Sequence, residues 1–157
     1  MLNKNNKILV VGSVAYDSVE THAGKRVDAL GGSASYFALS ASYFARPTIV
    51  AVIGDDFEQS HIELMESRNI DLSGLQIEHG DTFRWAGKYD PNNLNYRETI
   101  DTQLNVFAEF KPILDEKHKS TDVFFLANIQ PDLQMDVLNQ AGEKPKIVAM
   151  DSMNLWI

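Results

Sequence analysis

The sequence predicts an α/β fold: a parallel sheet with crossover helices, from which a few further strands project. Three observations predict it. Apolar runs of strand length at 8–11, 48–53 and 123–127 are continuous rather than alternating, the pattern of strands buried on both faces. Helical spacing sets in between such runs, which makes the connections crossovers. Strict apolar/polar alternation appears at 82–89, outside that rhythm.

In chain order, the β-branched run at 8–11 ends at Gly12 and reads as the first buried strand. Residues 14–20 and 25–30 alternate loosely around Ala23-Gly24, which suggests two short, more exposed antiparallel strands. After Gly31-Gly32-Ser33, Ala34, Phe37, Ala38, Ala41 and Ala45 recur at helical spacing, giving a closely packed helix over 34–45 that Pro47 closes. A second buried strand at 48–53 ends in Gly54-Asp55-Asp56, and a helix follows over 57–67. At 82–89 the stripe Phe83, Trp85, Gly87, Tyr89 opposes Thr82, Arg84, Ala86, Lys88, and a turn at Asp90-Pro-Asn-Asn93 leads into 95–100, a hairpin. A strand at 123–127, a helix at 133–141 and a strand at 147–150 resume the α/β rhythm. The last strand is expected to leave the chain in mid-fold, since ligand loops normally continue from its C-terminal edge.

Composition narrows the function. A chain of 157 residues with 44% hydrophobic residues matches one domain with a single core. Its apolar runs fall far short of the roughly 20 residues a membrane span needs. Met1 to Lys7 shows no cleavage-site pattern, and a cytoplasmic location is expected. A net charge of −8 without a Lys/Arg cluster disfavours nucleic acid. There is no cysteine, and His22, His61, His79 and His118 are scattered through polar contexts, so no zinc pattern arises. Neither G-x-G-x-x-G nor G-x-x-x-x-G-K-[ST] occurs.

The strand Ile8-Leu-Val-Val-Gly-Ser-Val-Ala-Tyr-Asp17, the Gly-Gly helix at 31–45 and the strand ending Ile53-Gly-Asp-Asp-Phe57 together resemble the N-terminal half of the ribokinase/PfkB family of carbohydrate kinases. Asp151-Ser-Met-Asn154 is similar to an Asp-x-Asn segment of sugar kinases. The resemblance implies a ribokinase-like parallel-sheet sandwich, truncated, with residues 1–157 as one incomplete domain and lid strands at about 14–30 and 82–100. It implies transfer of the ATP γ-phosphate to a sugar hydroxyl with ATP and Mg, a small-molecule sugar as ligand, and a homodimer through the lid. Three positions depart from the family pattern: Tyr36 stands where an Asn is usual, Ala45 where a Gly is usual, and the segment to Gly54 is one residue shorter. The second family signature, Asp-Thr-x-Gly-Ala-Gly-Asp, which carries the catalytic base and anion hole, is absent. No catalytic, cofactor-binding or metal-binding residue is therefore expected in these residues, and the chain alone should be inactive. The alternative is a non-catalytic sugar-binding or assembly module with a kinase-derived fold.

The substrate-binding candidates are Asp17, Gly31, Gly32, Ser33, Tyr36, Arg84 and Asn128. Asp17 follows the first strand at the edge where α/β proteins bind ligands, and a carboxylate accepts two hydroxyls; otherwise it is a turn residue. Gly31 and Gly32 would let backbone approach a ligand and offer free amides at a helix start, or serve a tight turn. Ser33 is either a contact or an N-cap. Tyr36 would stack on a sugar face or fill the core. Arg84, with Lys88, would bring positive charge over the ligand or remain a solvated strand charge. Asn128, Asp151 and Asn154 follow strand ends and would line the same crevice. Asp55 or Asp56 reads as the cap of the helix near Phe57 rather than as a magnesium pair.

Overall fold

The computed structural model describes residues 7–153; Asn154, one of the crevice candidates, lies outside them. At its centre is strand β1 (Lys7–Val11), flanked by β4 (Arg46–Gly54) and β8 (Val123–Leu126) in a five-stranded sheet. The outer strands are β5 (Asp71–Glu78) beside β4 and β9 (Ile147–Met150) beside β8, and every pairing is parallel. A second, four-stranded sheet projects from it in the order β3 (Gly24–Gly31), β2 (Ala15–Thr21), β6 (Arg84–Tyr89), β7 (Arg97–Gln103). Its outer pairs are antiparallel, and β2 and β6 run parallel at the seam. The loosely and strictly alternating stretches at 14–30 and 82–89 thus form strands of this second sheet, β2, β3 and β6.

The continuous apolar runs behave as strands covered on both sides. Successive residues of β1 enter different cores, Ile8 and Val10 one and Leu9 and Val11 the other, because side chains alternate across a strand. The first core holds Ala34 and Ala38 of helix α1 (Ser33–Ala41) and Met65 of α2 (Gln59–Ser67). The second holds Phe107 of a 3-10 turn at Asn105–Glu109, Leu114, and Val137 of α4 (Pro131–Asn139); a one-turn helix, α3 (Glu116–Lys119), precedes β8. Leu9, Val10 and Val11 are fully buried, and each such side chain contributes roughly 1.5–3 kcal/mol. No helix among the described residues is long and apolar enough to cross a membrane.

Three sequence expectations need correction. Helix α1 ends at Ala41, and Pro47 belongs to β4, paired with Ile8, so a turn rather than proline ends the helix. Ala45 N–H bonds Ala41 O at 2.9 Å and Ser42 Oγ bonds Leu39 O at 2.7 Å in that turn. Strand β5 has no counterpart in the sequence reading, because its register against β4 shifts between Thr48 and Val50 and breaks the two-residue period. Phe83 lies before β6 and stacks on Phe107 at 5.1 Å in the second core, so the expected aromatic stripe begins at Trp85.

His118, flanked by lysines in the sequence, is buried: Nε2 lies 3.4 Å from Ser73 Oγ and Nδ1 has no partner. Burial, then the neighbouring Lys117 charge, hold its pKa below the ordinary 6.5, against smaller opposing effects of Asp115 and Asp71. The folded chain thus binds fewer protons here than the unfolded chain, and this contribution to stability is lost as pH falls through the unfolded value. Thermal melts from pH 8 to 5 should show a steeper acid decline for the parent than for His118→Asn; equal slopes would disprove it.

Candidate functional site

Chain order reverses at β1, whose neighbours are β4 and β8, so the crevice at the C-terminal ends of β1 and β8 is the topological switch point, where open α/β sheets bind ligands. Ser13, Ser33 and Asn128 meet there. Ser33 N–H donates to Ser13 Oγ at 3.1 Å, Asn128 N–H donates to Ser33 Oγ at 2.8 Å, and the two hydroxyls lie 3.4 Å apart. Ser33 is the first residue of α1 and not its cap, which is Gly32. Its hydroxyl ties the helix start to the end of β8. Asn128 Oδ1 and Asp151 Oδ1, at the ends of β8 and β9, are buried with no partner among the described residues. Burial raises the Asp151 carboxyl pKa, partly offset by its own and the Asn128 backbone N–H.

Asp17, on β2, sits just above this crevice. Its carboxylate lies over the Cα of Gly31, where an added Cβ would collide with it. The Tyr36 hydroxyl donates to Asp17 Oδ2 at 3.5 Å, and the Gly32 N–H favours the charge of the same carboxylate. Burial nevertheless dominates and holds the Asp17 pKa above the usual carboxylate value. Asp17, Gly31, Gly32 and Tyr36 therefore form one cluster. Two amides at the helix start are taken, Ser33 by Ser13 Oγ and Ala34 by Ser13 O at 3.0 Å. The glycines serve close packing of strand, carboxylate and helix start. Tyr36 is not core, for it is 55% exposed.

Arg84 is placed apart from this cluster. It pairs in register with Tyr16, and its guanidinium stands 5.1 Å from that ring, whereas Asp17 pairs with Trp85 on the other face of the lid. Its Nη2 contacts Asp56 Oδ2 at 2.6 Å and its Nη1 donates to Thr82 O at 3.2 Å. Lys88 pairs with Glu20 at 2.7 Å.

Asp56 does not cap a helix, and neither does Asp55. Helix α2 starts at Gln59, Asp55 Oδ2 meets His79 Nδ1 at 2.7 Å, and Asp56 Oδ1 accepts both the N–H and the hydroxyl of Thr82 at 2.7 Å. Thr82 Oγ1 in turn accepts Gly54 N–H at 3.0 Å, so this unit bolts the root of the lid to the end of β4. Burial opposes the Asp56 charge, but the Thr82 and Arg84 contacts prevail and lower its pKa. Removing these charge-assisted bonds in Asp56→Ala should cost about 2 kcal/mol, read as a lower urea midpoint with an unchanged slope. A midpoint within error of the parent would refute this anchor. Sequence reading missed Thr82, whose only signal was a polar residue at the start of an alternating run.

Elsewhere the hollows are modest. One of about 440 Å³ is lined by Lys111, Pro112, Leu133, Asp136, Asn139 and Gln140, and one of about 160 Å³ adjoins it at Lys111 and Leu133. Neither is lined by glycine amides or by more than one cation, so neither hollow fits a nucleoside triphosphate. Among the described residues no three His, Asp or Glu side chains come together as a metal site.

No family model matches the chain. Among curated proteins, the cytidine kinase of Thermococcus kodakarensis is 29% identical over 148 residues, which are 92% of this chain and 50% of that protein. The chain thus spans about half the length of the curated relative it matches. Among solved structures, the nucleoside kinase of Methanocaldococcus jannaschii aligns over 95% of this chain and 53% of its own, with a TM-score of 0.70 and 18% identity. The ribokinase of Cryptococcus neoformans, solved with ADP, aligns over 99% and 52%, with a TM-score of 0.76 and 16% identity. At these identities the likeness of the two structures is one of fold.

Proposed function

We propose that this chain, which carries the ribokinase-like fold over about half the length of a PfkB-type kinase, holds the phosphoryl-accepting substrate of an ATP-dependent kinase. The substrate is a sugar, free or as the ribose of a nucleoside. The observation that carries this reading is the desolvated Asp17 carboxylate beside the switch-point crevice, with Tyr36 and the Gly31-Gly32 turn around it. A carboxylate kept partly dry gains more from two hydroxyl donors than one already in water. Ser33 and Asn128, joined by the Asn128 N–H bond to Ser33 Oγ, extend the polar lining of the same crevice.

Phosphoryl transfer needs a base, donors for the transferred group and a metal-bound nucleotide. The 157 residues contain no Gly-Ala-Gly-Asp segment, so in this reading residues outside them perform the transfer. Calorimetric titration of the chain with sugars and nucleosides should give saturable binding, and magnesium ATP with the bound ligand should give no product. Turnover above background by rigorously purified chain would overturn the division of labour. Absence of binding across the whole panel would overturn the substrate site.

Pairing of lids between two copies belongs to the same reading. Its support is strand β7, exposed throughout, with the apolar side chains of Leu94, Tyr96 and Ile100 uncovered on the lid. Sedimentation equilibrium should show a dimer, weakened by Ile100→Asp; a monomer at high concentration would count against it.

A further inference from the structure

Arg84 occupies the face of the lid opposite to Asp17, yet it is no solvated strand charge. One guanidinium meets three elements. Its Nη2 lies 2.6 Å from Asp56 Oδ2 just beyond β4, its Nε lies 3.7 Å from Asp28 Oδ2 on β3, and its Cζ stands 5.1 Å from the centre of the Tyr16 ring on β2. Each partner is itself held. Asp56 Oδ1 accepts two bonds from Thr82, the Asp28 N–H donates to Ser18 Oγ at 3.1 Å, and the Tyr16 hydroxyl accepts the Glu58 N–H at 2.7 Å. The Arg84 and Asp56 side chains are both half-buried, so water and salt screen this pair less than an exposed one.

The ties on the two sides of the lid are unequal. On the Arg84 side, a charge pair and the Tyr16 hydroxyl join the lid to the segment that follows β4. On the Asp17 side, the Tyr36 hydroxyl contact of 3.5 Å is long for a hydrogen bond. Arg84 and Trp85 are consecutive and pair with Tyr16 and Asp17, so whatever fixes Arg84 to the central sheet also fixes the strand pair that carries Asp17. A partly buried ion pair adds little net stability over an apolar replacement, and its best attested use is to select one arrangement of the elements it joins. We infer that Arg84 is a positioning residue: with Asp56 it holds the lid at the angle that places the Asp17 carboxylate over the switch-point crevice. Its bearing on a ligand rests on the proposed acceptor site. Arg84 thereby affects affinity without touching what is bound.

The chain has no cysteine, so two introduced thiols carry spin labels without background. Lys25→Cys on β3 and Glu66→Cys on α2, both at exposed positions, report the lid angle by electron spin resonance distance measurement. The distances should be narrowly distributed in the parent. They should broaden in Arg84→Met, which keeps an unbranched side chain beside Tyr16, and in Asp56→Asn, which keeps an acceptor for Thr82; either variant serves should the other not fold. Carbon-13 titration of the Asp17 carboxyl is the second readout. Burial is the largest influence on that group, so a loosened lid admits water and brings its pKa down toward the ordinary 3.8. Loss of the Arg84 charge acting directly would push it the other way. For each sugar or nucleoside that the parent binds in calorimetry, affinity should fall roughly 2- to 30-fold in both variants. Arg84→Lys should recover part of all three. A distance distribution or an Asp17 titration unchanged in the folded variants would overturn the positioning role, and unchanged affinity would overturn its bearing on the ligand. No binding of any panel member to the folded parent would overturn the acceptor site alone, since the first two readouts need no ligand.

Discussion

The Asp17→Asn variant is expected to be more stable than the parent at neutral pH and to bind its ligand roughly 10- to 100-fold more weakly. Both effects have one cause. Burial raises the Asp17 pKa, and the lowering influence of the Tyr36 hydroxyl and the Gly32 N–H does not fully compensate. The folded state therefore holds its proton to higher pH than the unfolded state, whose value is near 3.8. Between those two values the folded chain binds more protons, so stability falls as pH rises through the window, and the ionised carboxylate works against the fold at pH 7. Asparagine fills the same space over Gly31 without the charge. It also loses the charge-assisted acceptor that the substrate reading requires. Thermal melts of parent and variant between pH 4 and 7, with ligand calorimetry on both, supply the measurement. The stability difference should grow with pH across that range. A variant less stable than the parent at pH 7 would show that Asp17 is a structural residue held by its hydrogen bonds.

The second large effect is expected at Gly32. Its φ of +90° is a conformation that L side chains rarely adopt, and an added Cβ would lie 2.8 Å from Ser13 C and 2.9 Å from Val14 Cα. These are backbone atoms between β1 and β2, which no rotamer change can move aside. Backbone strain and overlap together should make Gly32→Ala cost about 3 kcal/mol or more. That is a large part of the 5–15 kcal/mol typical of a domain. Gly142 provides the control, since the nearest atom to its added Cβ is 3.6 Å away, and Gly142→Ala should stay within about 0.5 kcal/mol of the parent. Urea unfolding of the two variants decides the matter. Equal midpoints would mean that the turn between β3 and α1 relaxes without loss.

Much of the fold was legible because β1 and β4 are covered on both faces and so carry unbroken apolar runs. Strand β5 was not, since a bulge removes its periodicity and Asp71, Ser73 and Gln76 make it read as polar. Within the site, Asp17, Gly31, Gly32 and Tyr36 could be grouped from their places after strand ends and at a helix start. Arg84 could not be sorted, because which face of the lid it occupies depends on the pairing of β2 with β6, a register set by tertiary structure. Asp56 was misread for a related reason. An acid after a strand and before a helix fits a cap equally well, and only the return of the chain at Thr82 reveals its partner.

The parallel seam of the lid, where Tyr16 meets Arg84 and Asp17 meets Trp85, has a kinetic meaning. Between these partners lie β3, α1, β4, α2 and β5, so closing the seam costs the entropy of a loop that spans all of them. Contacts distant in sequence carry a larger loop-closure cost and slow folding. A ligand held on Asp17 would therefore add to the tie between β2 and β6, whose closure the whole intervening chain opposes.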